Sequence, residues 1–437
     1  MHARQFLVGL IVSVSLPAHV HAQPAERPAS RVIVVKAGKL LDVRKGSYLE
    51  HAAILIDGER IKEVGPADAI LPHAPQNVET VDWSHATVLP GLIDCHTHLL
   101  ARFSNEHDGY VLGLATKSEA FRALEGAADA RLTLYAGFTT VRDVESEGAG
   151  YADVALRDAI NRRLVEGPRM QVATRGIAAV GQYNPFGVSP DLMHFPTGAQ
   201  MVSGTEEARR AVREQIGHGA DLIKVYADWE HPTLTVEEMR VIVEEAHKQA
   251  RKVAAHANSA VAIKNAIAAG VDSIEHGHGA DREALEMMKD KGVFLVPTVG
   301  GMDDLAERLK RDPLTPAQIE RLDKRLQGIR EMLQSATRLG VKMASGFDGS
   351  SEGAHGRNAA ELIAMASRGV PPADVFRAAT VNAAELLGWQ NDVGAAEPGK
   401  YADLIAVEGD PLAEISVLKQ VKYVMKGGVL MKPPGVQ

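Results

Sequence analysis

Residues 91–98 read GLIDCHTH, and this stretch decides the fold. It follows Pro90, runs apolar through Leu92 and Ile93, and ends in His96-Thr97-His98. Alternate residues of a strand share a face. Both histidines therefore point one way and Thr97 the other, so a strand ending in His-x-His is a natural metal pair. The same parity turns Cys95 to the opposite side, where it reads as a packed thiol rather than a ligand.

Working outward, the pattern recurs. Seven further strand-like runs follow: FTTVRDV (138–144), RMQVAT (169–174), LIKVYA (222–227), KVAAHA (252–257), SIEHG (273–277), FLVPTV (294–299) and KMASGFD (342–348). Helical stretches fall at 117–135, 151–165, 205–218, 235–250, 258–269, 281–291 and 303–339, with a last one at 372–387. Eight strands each followed by a helix predict an α/β fold, a (β/α)8 TIM barrel over 91–390. Residues 31–90 and 400–432 read instead as short strands split by Gly, Asp and Asn. Domain termini tend to lie close together, so these two segments are expected to form one small β-sandwich domain.

A barrel of this kind carries its chemistry at the C-terminal ends of its strands. His96 and His98 end the first strand, His256 the fifth, His276 the sixth and Asp348 the eighth. A lone histidine is by default structural, and the chain holds 17 of them. Four at three separate strand ends, with an Asp at the last, form instead a ligand set for zinc or a similar divalent ion. Strand four adds Lys224, inward by parity with Leu222 and Tyr226. An inward lysine is costly unless paired or deprotonated. It either pairs with an acid such as Asp94 or Asp143, or is carbamylated by CO2 into a two-oxygen anion able to bridge two metals.

The bulk numbers agree with an enzyme. The chain has 437 residues, 45% hydrophobic and 24% charged, enough for a large barrel plus a small domain. Arg4, the apolar run 6–16 and the small residues Val20 and Ala22 have the layout of a secretory signal peptide over 1–22, cleaved near Ala22. The run is too short to span a bilayer. The formal net charge of −8 becomes −9 once Arg4 leaves with that segment. An acidic chain with no basic run is a poor partner for nucleic acid or an anionic membrane. With Cys95 as its one cysteine it forms no internal disulfide, which suits a periplasmic or secreted protein of this size.

The ordered motifs LPGLIDCHTHL, AGFTTVRDV, GADLIKVYAD, KVAAHA, AGVDSIEHGHG, VPT, SGFD and EPGKYADLIAVEGDPL resemble the amidohydrolase superfamily over nearly the whole chain beyond residue 22. The resemblance is strongest to the branch with Xaa-Pro dipeptidases, related metallo-carboxypeptidases, ochratoxin amide hydrolases and imidazolonepropionase-like proteins. It implies two divalent metal ions, zinc first among them, and a symmetric homo-oligomer. His96 and His98 would bind the buried metal with Asp348, His256 and His276 the more exposed one, and a carboxylated Lys224 would bridge both. A metal-bridging hydroxide would attack the amide carbonyl, with Asp348 moving the proton to the leaving nitrogen. Ser-Gly-Phe-Asp stands here where many relatives have Gly-Thr-Asp, and the segment after Lys224 is shorter than in prolidase-like relatives, which weakens any transfer of their substrate.

Substrate contacts are read on Tyr226, one inward step past Lys224, on His278, two past His276, and on His355 in the loop after strand eight. Arg357 on that loop offers a carboxylate clamp or a surface salt bridge. The 99–118 loop and the 181–203 stretch are candidate lids. The implied substrate is a small N-acyl amino acid or dipeptide, such as ochratoxin A or an Xaa-Pro dipeptide. Opening of a cyclic amide, ring deamination and a barrel that only binds a ligand are the alternatives.

Overall fold

The computed structural model describes residues 31–432 apart from 107, 184–194, 230 and 310–313. The expected signal peptide and part of the second candidate lid lie outside these residues.

In chain order the strands are β1 (Val32–Asp42), β2 (Ser47–Asp57), β3 (Arg60–Pro66), β4 (Glu79–Pro90), β5 (Leu92–Thr97), β6 (Phe138–Asp143), β7 (Arg169–Val172), β8 (Gly176–Ala179) and β9 (Ala199–Val202). They continue as β10 (Leu222–Tyr226), β11 (Lys252–Ala257), β12 (Ser273–His276), β13 (Phe294–Val296), β14 (Leu404–Val407), β15 (Tyr423–Lys426) and β16 (Val429–Lys432).

The terminal segments meet in one seven-stranded sheet of order β16-β15-β14-β4-β1-β2-β3. The register of β1 on β4 slips between Ala37 and Lys39. The sheet rolls until its far side touches the chain before β14: Arg60 bridges Tyr401, and Ile61 N–H donates to the Lys400 carbonyl. Ile33, Val35, Ile54, Ile56, Trp83, Val88, Leu404 and Met425 fill the space inside. The sandwich is thus a single sheet closed over its own apolar face, which leaves few free edges.

The barrel runs β5, β6, β7 with its continuation β8, then β10, β11, β12 and β13. The 342–348 stretch is its eighth stave. Leu295 N–H donates to Lys342 O and Ala344 N–H to Leu295 O on one side. Cys95 N–H donates to Ser345 O and Asp348 N–H to His96 O on the other, which closes the ring. Parity behaves as the sequence implied. Ile223 and Val225 pack outward with the helices, whereas Leu222 joins Val144, Ala173 and Ala254 in a layer inside the barrel. Cys95 lies outward, fully buried against Ala383, Ala384 and Leu387 of the last helix.

Two long helical expectations divide. The 303–339 stretch appears as helices Val299–Leu309 and Pro316–Leu339, and 372–387 as Pro372–Ala378 and Val381–Leu387. Thr315 and Gln318 form a capping box that starts the Pro316 helix afresh. No described helix is long and apolar enough to cross a membrane.

Candidate metal centre and active site

His96, His98 and Asp348 converge. One ligand atom from each lies within 4.8 Å of the others. His98 Nε2 is 3.2 Å and His96 Nε2 3.6 Å from Asp348 Oδ1. The approach depends on Gly346: a Cβ there would sit 2.6 Å from His96 Cβ and 2.5 Å from Val296 Cγ1. The glycine of Ser-Gly-Phe-Asp is therefore a packing requirement, and Asp348 reaches the site despite the departure from Gly-Thr-Asp.

His276 arrives by a different route. Strand alternation puts Ser273 and Glu275 inward and His276 outward. His276 instead adopts a left-handed φ of 69°, uncommon for a residue with a Cβ, and this turns its ring back toward the others. Its centroid lies 5.0 Å from His96 and 4.5 Å from His256. Its Nδ1 is 2.7 Å from Thr298 Oγ1 and 3.8 Å from Asp348 Oδ2. His256, inward on β11, has Nε2 3.2 Å from the Asn258 amide nitrogen and 3.9 Å from Asp228. Asp228 also accepts hydrogen bonds from Asn258 N–H, Ser259 N–H and the Ser259 hydroxyl, so it ties the chain after β10 to the start of the Ala260–Ala269 helix that follows β11.

Because Glu275 also points inward, a support network appears that the motif reading passed over. Glu275 Oε2 lies 2.7 Å from His96 Nδ1, and its Oε1 accepts from Arg142 Nη2 at 2.8 Å. Arg142 donates further to Cys95 O and Ser273 Oγ. An ionised carboxylate can only accept, so His96 carries its proton on Nδ1 and presents the Nε2 lone pair toward Asp348. Burial pushes the Glu275 carboxyl up, but Arg142 and His96 outweigh it and hold it well below the usual range. Parity applied to Ser-Ile-Glu-His would have pointed to Glu275; Arg142 is likewise inward on β6.

Lys224 is 1% exposed and has no ion-pair partner within 4 Å among the described residues. Neither acid weighed from sequence takes it. Asp94 accepts from His96 N–H, Phe347 N–H and Asn358 Nδ2. Asp143 accepts from Leu99 N–H and the Thr97 hydroxyl. Burial lowers the Lys224 ammonium below its usual value, only partly opposed by Glu275, Asp348 and Glu145.

The imidazoles differ in charge. Burial, helped by Lys224, lowers His96 to about 4 and His256 well below the usual range. Burial and then His256 do the same to His276. Neutral imidazole is the metal-binding form. His98 goes the other way: burial lowers it, but Asp348 and Glu147 outweigh burial and raise it to about 10. Glu145 and Glu147, after β6, form a second group of possible ligand atoms with His98. Without a bound cation the carboxylates around His98 hold a proton there. A divalent ion can take the place of that proton.

The three substrate-contact expectations fare unevenly. The Tyr226 hydroxyl donates to Glu145, and so does Tyr183 at 3.0 Å. Tyr226 is thus a wall residue whose hydroxyl is already engaged. His278 Nε2 lies 2.8 Å from the Pro297 carbonyl oxygen, and its Nδ1 is buried with no hydrogen-bond partner among the described residues. His355 is buried with Nε2 2.8 Å from Ala101 O, so it braces the chain after His98 instead of overhanging the mouth. Arg357 pairs with Asp304 at 2.9 Å, the surface-bridge reading. In the first candidate lid, Gly109–Thr116 is helical and Phe103 bridges Ser351.

The profile of the amidohydrolase family matches residues 87–431. The ochratoxinase of Aspergillus niger is 33% identical over 444 residues, covering 94% of this chain and 89% of that protein. Its crystal structure superposes with a TM-score of 0.80 at 30% identity, covering 94% of this chain and 98% of that one. A Xaa-Pro dipeptidase solved with methionine in its active site has a TM-score of 0.81 at 33% identity, covering 91% and 99%. A prolidase in complex with N-methylphosphonate-L-proline has a TM-score of 0.80 at 33% identity, covering 92% and 100%. The closed barrel, the imidazoles gathered at its strand ends and these near whole-length matches lead to one conclusion: the chain belongs to the amidohydrolase family and is a hydrolase acting on amide bonds.

Proposed function

We propose that this chain hydrolyses the amide bond of small N-acyl amino acids or dipeptides at a centre of two divalent metal ions, zinc first among them. The observation that carries this is a buried lysine with no ion-pair partner within 4 Å among the described residues, at the strand ends where His96, His98, His256, His276 and Asp348 gather. That donor set suits divalent metal, and a carboxylated Lys224 would add an oxygen anion to it. His96, His98 and Asp348 would hold one ion and His256 and His276 the other. Burial favours the neutral Lys224 amine, the form that takes up CO2 to give a carbamate and one proton. Its two oxygens would join the two halves of the site.

Bound metals would supply Lewis acidity toward the amide carbonyl and a lowered pKa for water. The rest falls to the chain. Burial raises the Asp348 carboxyl, but His96, His98 and Lys224 outweigh burial and keep it ionised. It can therefore accept a proton from attacking water and deliver it to the leaving nitrogen, which is a poor leaving group as an anion. Glu275 and Arg142 hold His96 in one tautomer throughout.

The whole-length similarity to proteins described as an ochratoxinase and a Xaa-Pro dipeptidase supports this substrate class. The purified protein would be assayed on Xaa-Pro dipeptides, other dipeptides and N-acyl aromatic amino acids including ochratoxin A. Cleavage lost on chelation and restored by zinc with bicarbonate is expected. No cleavage of any amide after metal and bicarbonate are supplied would refute the reading. We also propose export to the periplasm or beyond, with cleavage near Ala22, and a homo-oligomeric state. N-terminal sequencing of the exported protein and its sedimentation behaviour test these two points.

A further inference from the structure

Trp229 is 39% exposed, although the rings it touches are not: Tyr226 is 4%, Tyr183 6% and His256 8% exposed. It lies three residues past the last residue of β10, at the end of the barrel where His256 and His276 gather. One indole face is stacked on Tyr226, with centroids 4.9 Å apart and planes 23° apart. His256 lies 4.7 Å and Tyr183 5.6 Å away, both tilted by 51°.

The chain on either side of Trp229 is also pinned. Asp228 bridges Pro232, Thr233 N–H donates to Ala227 O, and the Thr233 hydroxyl donates to Tyr226 O. With one face stacked on Tyr226 and its chain pinned on both sides, Trp229 forms a platform. The wall behind it offers ring faces, since the Tyr226 and Tyr183 hydroxyls are both spent on Glu145. It runs without a break from Trp229 through Tyr226 to Lys224, whose ammonium lies 5.4 Å from the Tyr226 ring centroid. A group covering the open indole face is thus connected to the metal centre, as part of a substrate would be.

We infer that Trp229 is a specificity-determining residue whose open face takes a planar or aromatic side group of the substrate beside His256. The inference rests on the amide-hydrolase reading and names its substrate class: amides of aromatic amino acids over small aliphatic ones.

The test compares wild type, Trp229→Ala and Trp229→Phe on matched pairs that carry the side group on the leaving amine, N-acetyl-L-phenylalanine against N-acetyl-L-alanine and Ala-Phe against Ala-Ala. Trp229→Ala is expected to raise KM for the aromatic member about tenfold, leaving kcat and the aliphatic member within about twofold. Trp229→Phe should retain most of the preference. Equal changes on both members, or none, would overturn the inference. So would an altered oligomeric state with unchanged preference, which would assign the open face to a second copy. A second readout needs no turnover: L-phenylalanine, but not L-alanine, should quench tryptophan fluorescence in wild type and not in Trp229→Phe. That quench in a protein cleaving no amide would sustain Trp229 while refuting the hydrolase reading. Its absence in a protein cleaving both members alike would do the reverse.

Discussion

The two halves of the candidate centre are built differently. His96, His98 and Asp348 lie within 4.8 Å of one another, and charged neighbours orient them. Glu275 and Arg142 fix His96, while Asp94 accepts the His96 N–H and is itself held by Asn358. His256 and His276 make their hydrogen bonds to neutral groups, the Asn258 amide and the Thr298 hydroxyl, with Asp228 and Asp348 farther off at 3.9 and 3.8 Å, and they pack ring on ring. Charge-assisted hydrogen bonds are roughly twice as strong as neutral ones. The first half is therefore preorganised, and the second is held more loosely and lies next to the exposed Trp229. On the proposed reading the difference separates permanence from adaptability: the first half would keep metal, and the second would meet substrate.

The largest effect that could break this comparison comes from Asp348, which belongs to the first half and lies 3.8 Å from His276 of the second. Asp348→Asn should lower kcat by roughly 10²–10⁴-fold, the range for loss of a positioned acid–base group, in steady-state assays of amide cleavage. Retention of most activity would remove its proton-transfer role. Next come the supports. Glu275→Gln should weaken metal binding about 10–100-fold, as loss of an outer partner does, in competition titrations with a chelator. Thr298→Val should cost several times less. Equal losses would erase the contrast between charged and neutral support. Gly346→Ala should act on the first half alone, because the added Cβ meets His96 backbone and Cβ. We expect a folded protein with reduced metal retention at the His96 side, visible as faster zinc release to a chelator.

The smallest effect lies beside the centre. Burial raises the Glu361 carboxyl to about 8, despite the hydrogen bond it accepts from Gly300 N–H. A raised folded-state pKa favours the protonated form in the fold. The stability it contributes is full below the unfolded value near 4.5 and is lost as pH rises through about 8. Glu361→Gln should flatten this part of the curve and raise Tm by a few degrees at pH 8 and above. Thermal melts from pH 4 to 9 check it, and an unchanged pH profile would count against the buried-acid account.

The same contrast explains what the sequence disclosed. Parity along regular strands placed His96, Lys224, Tyr226 and the outward Cys95, because period-two alternation is a local property of extended backbone. It had no purchase where the backbone departs from that period. His276 enters through a left-handed φ, so a strict alternation names Glu275 and a motif reading names His276, and the fold uses both. Glu145 and Glu147 follow β6 on irregular chain and carry no periodic signal. The β4 strand begins at Glu79, well before the apolar run of residues 86–90, and its early part alternates polar and apolar residues. His355 was placed by loop position alone, and only packing reveals that its ring serves the Ala101 carbonyl.

The most direct test of the central claim, two metal ions shared between unlike halves, is elemental analysis of metal per chain in wild type, His96→Ala and His256→Ala after reconstitution with zinc and bicarbonate. The account predicts about two ions in wild type, about one firmly held ion in His256→Ala, and a larger loss in His96→Ala, where the preorganised half is broken. A single ion or none in reconstituted wild type, or identical losses in the two variants, would contradict it.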